Sequence, residues 1–229
     1  MISIVIPVLN EEAQIKQTLD FTTQLSGNFE IIVVDGGSTD GTKSVVKSFS
    51  NILLVNSQKG RAHQMNTGAK QAKGEILLFL HADTRLPENA IETIEKKMSQ
   101  NNVVGGSFSL CFDSPHHLLR FYAKLSKINH SLFTYGDHAI FIKKYFFEQI
   151  SGYKEISIME DVEIQSRLRK RGKFIKLSET VLTSARRFKE NGTTKQLVLD
   201  VLILVLYHLG VSPKNLKKWY PDNKPKTEA

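Results

Sequence analysis

Gly74-Glu75-Ile76-Leu77-Leu78-Phe79-Leu80-His81-Ala82-Asp83-Thr84-Arg85 is the stretch that decides the fold. Glu75 to Leu80 is mostly apolar and is bounded by Gly74 and His81, the pattern of a strand buried on both faces. It ends in His81-Ala82-Asp83-Thr84, which places polar groups at the carboxyl end of a strand. In an open α/β sheet, ligands bind in the crevice beyond those ends. A carboxylate there can hold a hard divalent cation, and the cation in turn a diphosphate.

Working back from that strand, Ile2 to Val8 is an apolar, β-branched strand interrupted by Pro7. Asn10, followed by Glu11 and Glu12, reads as an N-cap with acids in the first helical turn. Ile15, Leu19 and Leu25 give that helix a partial apolar stripe. Phe29 to Val34 is a second strand ending at Asp35. The Gly-rich loop Gly36 to Thr42 follows and opens a helix carrying Val45, Val46 and Phe49. Asn51 to Val55 is a third strand. Arg61 to Lys73 has Ala62, Met65, Ala69 and Ala72 at helical spacing. Three strands separated by helices before a fourth predict an α/β fold with a doubly wound, largely parallel sheet and right-handed crossovers.

Beyond the central strand, Pro87 fits the first position of a helix with Ile91, Ile94 and Met98 on one face. Val103 to Phe112 is a longer strand, with Cys111 expected half-buried. Ser114-Pro115 reads as a cap and first turn for a helix running through Leu118 and Leu125 to Ile128. Tyr135 to Ile142 turns from polar to apolar and contains Gly136-Asp137. Glu160 begins a charged helix ending near Gly172, and Phe174 to Leu177 and Val181 to Ser184 are short strands. Leu197 to Val211 is strongly apolar, but its fifteen residues, interrupted by Asp200 and His208, fall short of the ~20 a membrane span needs. A buried helix is the first expectation for it; a homodimer contact or a peripheral membrane contact is the second. The tail from Pro221, rich in Lys and Pro, is expected to fray.

The 229 residues suit one domain, 1–212, with a nucleotide-binding half (1–102), an acceptor half (103–212) and a basic tail (213–229). Hydrophobic residues at 41% and charged residues at 24% allow a substantial core and argue against disorder. The net charge of +8 suits phosphate-bearing substrates or an anionic membrane surface. Nucleic acid is not the expected partner, because no helix-turn-helix, zinc or RNA-recognition signature accompanies the charge. The single cysteine excludes an intramolecular disulfide and suits a reducing compartment. No charged leader with a cleavage site precedes the first strand, so the expected location is cytoplasmic, or at the cytoplasmic face of a membrane.

SIVIPVLNEE (residues 3–12), IIVVDGGSTDGT (31–42), KGRAHQMNTGAKQAKGEILLFLHADT (59–84) and MEDVEIQSRLRKRG (159–172) together resemble the family 2 glycosyltransferases. Within them the chain is similar to a small bacterial branch with GRA-x-QMN and His-Ala-Asp motifs. The resemblance implies a nucleotide-binding fold of the GT-A type, with a mostly parallel central sheet flanked by helices. It also implies transfer of a sugar, with inversion, from a nucleotide-diphosphate donor, UDP-linked by expectation. The acceptor, a saccharide, a lipid-linked group or a small molecule, stays open.

Carried over residue by residue, the resemblance puts Asp35 on the nucleotide base, where a carboxylate can accept the imide N–H of uracil. Pro7, Asn10 and Glu12 line the nucleoside. Asp83 matches the last aspartate of the metal-binding Asp-x-Asp motif and implies Mn²⁺ or Mg²⁺. His81 replaces the first aspartate and is expected on ribose, phosphate or metal, or as an orienting residue of the loop. Arg61 sits among the nucleotide contacts, with a plain surface arginine as the alternative. Asp161 matches the catalytic base, with Glu160 in reserve; both could instead simply favour a helix N-terminus. Asp137 falls near the donor sugar and acceptor. The Gln-x-x-Arg-Trp motif is absent, and Arg187, in Arg186-Arg187-Phe188, stands near its place as a diphosphate contact or a solvated residue. The rivals are a sugar-1-phosphate nucleotidyltransferase, disfavoured by Leu9-Asn10-Glu11-Glu12 where a Gly/Arg/Lys loop would be required, and a non-catalytic nucleotide-sugar-binding protein.

Overall fold

Alternation along the first strands sorts their side chains onto two faces, and a computed structural model of the chain, which describes residues 1–220, shows a core on each. In β1 (Ile2–Val8), Ile2, Ile4, Ile6 and Val8 enter one core while Val5 enters the other. In β2 (Phe29–Asp35), Ile31 and Val33 oppose Ile32 and Val34 in the same way. In β4 (Ile76–Phe79), Leu78 faces the first core and Leu77 and Phe79 the second. This two-sided burial is what a continuous apolar run requires. Between these strands lie α1 (Glu12–Thr22), α2 (Thr42–Lys47), β3 (Ile52–Asn56) and α3 (Arg61–Gln71). Helix α3 lies close on the sheet because residue 68 is glycine: a Cβ there would run into Val5 Cγ1 and Val34 Cγ2.

The chain continues through β5 (Thr84–Arg85), α4 (Ala90–Met98), β6 (Val103–Phe112), α5 (His117–Leu125) and β7 (Ile140–Lys143). Next come α6 (Lys144–Gln149), α7 (Glu160–Arg169), β8 (Lys173–Thr183), α8 (Arg186–Asn191), α9 (Thr193–His208) and α10 (Pro213–Trp219). The sheet order is β3-β2-β1-β4-β7-β6-β8-β5. β3, β2, β1 and β4 are parallel, as expected, and right of them the sheet is mixed: β7 runs antiparallel to β4 and β6, and β5 antiparallel to β8. The reason is local. The 3₁₀ turn Gly136–His138 packs on His81, at the carboxyl end of β4, so β7 starts there and must run back against β4.

Several boundaries differ from the sequence reading. Asn10 does not cap α1: Glu11 holds that place, and Asn10 takes a left-handed conformation (φ 56°). Pro87 does not open α4, which begins three residues on; its carbonyl accepts from the Ala90 N–H. His116, not Ser114, caps α5, its ring accepting from the Leu118 N–H. The two short strands expected near 174 and 181 are one, β8, because both segments pair with β6 in the same direction, on either side of an irregularity at residues 177–179. Cys111 is exposed, since its neighbours Leu110 and Phe112 turn into the core. Residues 213–219, placed in the basic tail, form α10, whose Leu216 is buried. The fraying expected from Pro221 on lies outside the described residues.

Helix α9 departs most. Of its residues only Gln196, Ile203 and Leu204 are buried. Its expected role as a buried helix fails because it is apolar nearly all round but packs along one side, against α5, α8 and α10. Among the described residues no helix is long and apolar enough to cross a membrane.

Candidate active site

The register places Val8 opposite Asp35 and Val5 opposite Phe79, so β1, β2 and β4 end at one edge of the sheet. Pro7 lies beyond the last residue of β1 paired with β4, where the N–H it lacks is not needed on that side. The two loops that leave β1 and β2 are tied together. The Asn10 N–H donates to Ser38 Oγ, and Asn10 Oδ1 accepts from the Thr39 N–H at 2.8 Å. The Glu12 carboxylate accepts from the Gly41 N–H at 2.9 Å, and the Glu12 N–H donates to Asp40. Burial pushes the Asp35 carboxyl up, but hydrogen bonds from Ser38 and Gly37 and the Lys43 ammonium at 3.2 Å outweigh it and hold it below its usual range. Asp35 is thus ionised and fully buried, gripping the Gly36–Thr42 loop.

Sequence reasoning missed what fastens this edge. Gln64 Nε2, from α3, donates to both Val8 O (2.7 Å) and Val34 O (2.8 Å), joining the ends of β1 and β2. Asn66, two residues on, pairs with the backbone of Tyr153 in both directions. Both belong to the QMN segment, so their positions were visible although their partners were not. Thr18, on α1, donates to the Ala82 carbonyl at 2.6 Å and holds the His81–Asp83 turn.

Beyond that edge lies a cluster of acids. Asp161, in the first turn of α7, accepts from the N–H groups of Gly136 and Val162 and is buried. Burial first, then the neighbouring Glu160, pushes its carboxyl up to about 6. Glu160 faces Arg61 Nη1 at 3.3 Å. Asp137 is pushed up to about 7 by burial and then by Asp161, Asp83 and Asp200. Its neighbour His138, held neutral by burial and by Lys176, brings Nε2 to 3.6 Å from Asp137 Oδ1. Burial, opposed by Arg186, also raises Asp83 and Glu11, and Arg186 bonds Glu11 at 3.2 Å.

His81 belongs to this cluster. Burial and then Arg61 press its imidazole down to about 3, so it is neutral. Its Nε2 is buried and makes no hydrogen bond within the protein. A Cβ on Gly136 would meet that Nε2 at 2.8 Å and Asp161 Oδ2 at 3.4 Å, so the two groups converge on one glycine. Arg187 lies over the Tyr220 ring, 3.9 Å from its centroid, and Tyr220 Oη donates to Asp200. The structure thus forms two neighbouring groups: Asn10, Glu12 and Asp35 in the loop pair, and Arg61, His81, Asp83, Asp137, Glu160 and Asp161 around the acid cluster. Glu11, Asp200 and Tyr220 join them without having been foreseen. Among the described residues no three His, Cys, Asp or Glu side chains form a preformed metal cage.

Known proteins share this architecture. Over 122 residues the chain is 34% identical to the glycosyltransferase AglE of Haloferax volcanii, covering 48% of this chain and 40% of that protein. Over 117 residues it is 33% identical to the undecaprenyl-phosphate 4-deoxy-4-formamido-L-arabinose transferase of Aeromonas hydrophila, covering 46% and 36%. The chain thus spans well under half the length of these curated relatives. Among solved structures, the mannosyltransferase PcManGT of Pyrobaculum calidifontis, in complex with GDP-Man and Mn²⁺, superposes with a TM-score of 0.71 at 20% identity, covering 98% of this chain and 65% of that one. TarS of S. aureus with UDP-GlcNAc gives 0.62 at 18%, covering 80% and 58%. Both likenesses concern the fold, which is of the GT-A type. Residues 3–158, containing the loop pair, the His81–Asp83 turn and the Gly136 turn, match the model of glycosyl transferase family 2. The chain belongs to that family.

Proposed function

We propose that the protein transfers a sugar, with inversion, from a UDP-linked donor to an acceptor hydroxyl, with Asp161 as the base. The observation that carries this reading is the buried Asp161 at the start of α7, its carboxyl raised to about 6 and surrounded by groups suited to a diphosphate sugar. A base poised near neutrality can accept a proton without being permanently protonated. As the acceptor oxygen attacks the anomeric carbon, its proton passes to Asp161. The bond from that carbon to the diphosphate breaks, and the diphosphate leaves with the electron pair. Gly136 N–H and Val162 N–H orient the carboxylate. Arg61 and Arg187 are the cations proposed for the diphosphate, Asp137 for sugar or acceptor hydroxyls, and Pro7, Asn10, Glu12 and Asp35 for the nucleoside.

The donor set fits a divalent cation shared with a diphosphate: a half-buried Asp83 carboxylate and the neutral His81, whose Nε2 has no protein partner. Bound there, Mn²⁺ or Mg²⁺ would neutralise charge growing on the leaving group. The Mn²⁺ recorded with the mannosyltransferase and the lipid-phosphate name of the Aeromonas relative support this cofactor and a lipid-linked acceptor at the cytoplasmic face of a membrane.

Calorimetric titration of UDP and GDP, each with and without Mn²⁺, tests the site in wild type and Asp83→Ala. The expected result is metal-dependent UDP binding weakened at least about tenfold in the variant. UDP binding indifferent to metal and to Asp83 removes the cation, and absence of any nucleotide binding removes the donor assignment. Tight donor binding with no transfer or hydrolysis of any UDP-sugar favours a non-catalytic binding protein.

A further inference from the structure

We infer that α9 and α10 form a docking surface for an anionic lipid bilayer. Val198, Val201, Leu202, Val205 and Leu209 recur at the spacing of one helical face, and each is between 43% and 76% exposed. The opposite face carries Gln196 and Asp200, bonded to each other and to Tyr220. One side of α9 therefore turns toward the acid cluster and the other outward. Trp219, at the end of α10, is 59% exposed, and Phe121 on α5 and Ile128 just after it add to the surface. Of twelve large hydrophobic side chains exposed among the described residues, these helices and their ends carry eight. Such a concentration marks an interaction surface, unlike scattered single exposures.

Charge selects the occupant. Arg120, Lys124, Lys195, Lys214 and Lys218 are exposed on the same three helices. Asp200 is the single acid of those helices, and it faces inward. An apolar stripe with tryptophan and lysine at its margin fits acyl chains beneath anionic headgroups. A two-fold dimer through the same face would set these cations against their own copies. Docking of this kind leaves the acid cluster beside the bilayer; only the corollary, that the acceptor is anchored in that bilayer, rests on the proposed transfer reaction.

Cosedimentation of the full chain with vesicles tests this, using phosphatidylcholine alone and equal parts phosphatidylcholine and phosphatidylglycerol. Wild type is expected on the mixed vesicles, at least about tenfold more weakly on phosphatidylcholine, and progressively released by salt. Val201→Asp/Val205→Asp is expected to lower binding to mixed vesicles by about tenfold or more, and Lys214→Glu/Lys218→Glu to weaken it and flatten its salt dependence. These surface changes should leave the circular dichroism spectrum and nucleotide titration as in wild type. Wild type remaining in the supernatant with mixed vesicles overturns the inference, as does undiminished binding of Val201→Asp/Val205→Asp. So does a dimer that this variant dissolves while no form binds vesicles. Nucleotide titration of the same samples reports on the donor site separately, so failure of docking and failure of the transferase reading are distinguishable.

Discussion

At the residue scale, the consequences centre on two buried acids. If Asp161 is the base, Asp161→Asn lowers kcat by roughly 10²–10⁴ while UDP affinity changes little. Its active form is ionised, so with the carboxyl at about 6 the wild-type rate should fall about tenfold per pH unit below that point. A flat rate profile across this range would remove Asp161 from the role. The titration of Asp137 bears on stability, and there the dependence on pH runs the other way from that of the rate. Its folded pKa of about 7 lies above the ordinary 3.8, so the folded chain keeps a proton that the unfolded chain releases. Stability is therefore lost as pH rises between those values, fully retained below them and constant above. Asp137→Asn, always neutral, is expected to melt higher than wild type near about pH 8 and alike near about pH 4 in thermal scans.

At the element scale, the edge where β1 and β2 end depends on α3. Gln64→Ala leaves the carbonyls of Val8 and Val34 without their side-chain donor in a buried place. The expected cost is about 2–4 kcal/mol, read from urea unfolding, with weaker nucleotide binding as the loop pair loosens. Gln64→Glu should do no better, because an ionised carboxylate has no hydrogen to donate. Helix α3 itself was legible: Ala62, Met65 and Ala69 at helical spacing are buried, and Gly68 between them permits close approach. The boundaries of α1 and α5 were less so. Asn10 and Ser114 are good caps by type, but Asn10 is recruited by Thr39, 29 residues away, and the ring of His116 takes the Leu118 N–H. Cap propensity is a local preference, and a competing partner, distant in sequence for Asn10 and a near neighbour for Ser114, can override it.

At the scale of the whole molecule, α10 folds back against α9. Leu216, 1% exposed, packs in a small cluster with Ile158 and Ile203, apart from the two sheet cores. Leu216→Ala is expected to cost about 2–3 kcal/mol in thermal or denaturant unfolding. It should also disturb the stacking of Tyr220 on Arg187, since Tyr220 follows α10 directly. The same packing explains why α9 was misjudged. Its composition reads as a core helix, yet one shallow cluster cannot surround sixteen residues, and a stripe is left outside.

What the sequence determined by itself is the doubly wound half of the fold and the candidates for the site. Two-sided apolar strands, helical spacing between them and polar residues at the strand ends are local patterns, and motif order supplied the family. Only the tertiary structure decided the rest. It turned β7 back against β4, merged two short strands into β8, brought His81 and Asp161 together at Gly136, and left one face of α9 uncovered. These outcomes depend on which distant segments meet, and a raised pKa or an exposed stripe is a property of that meeting.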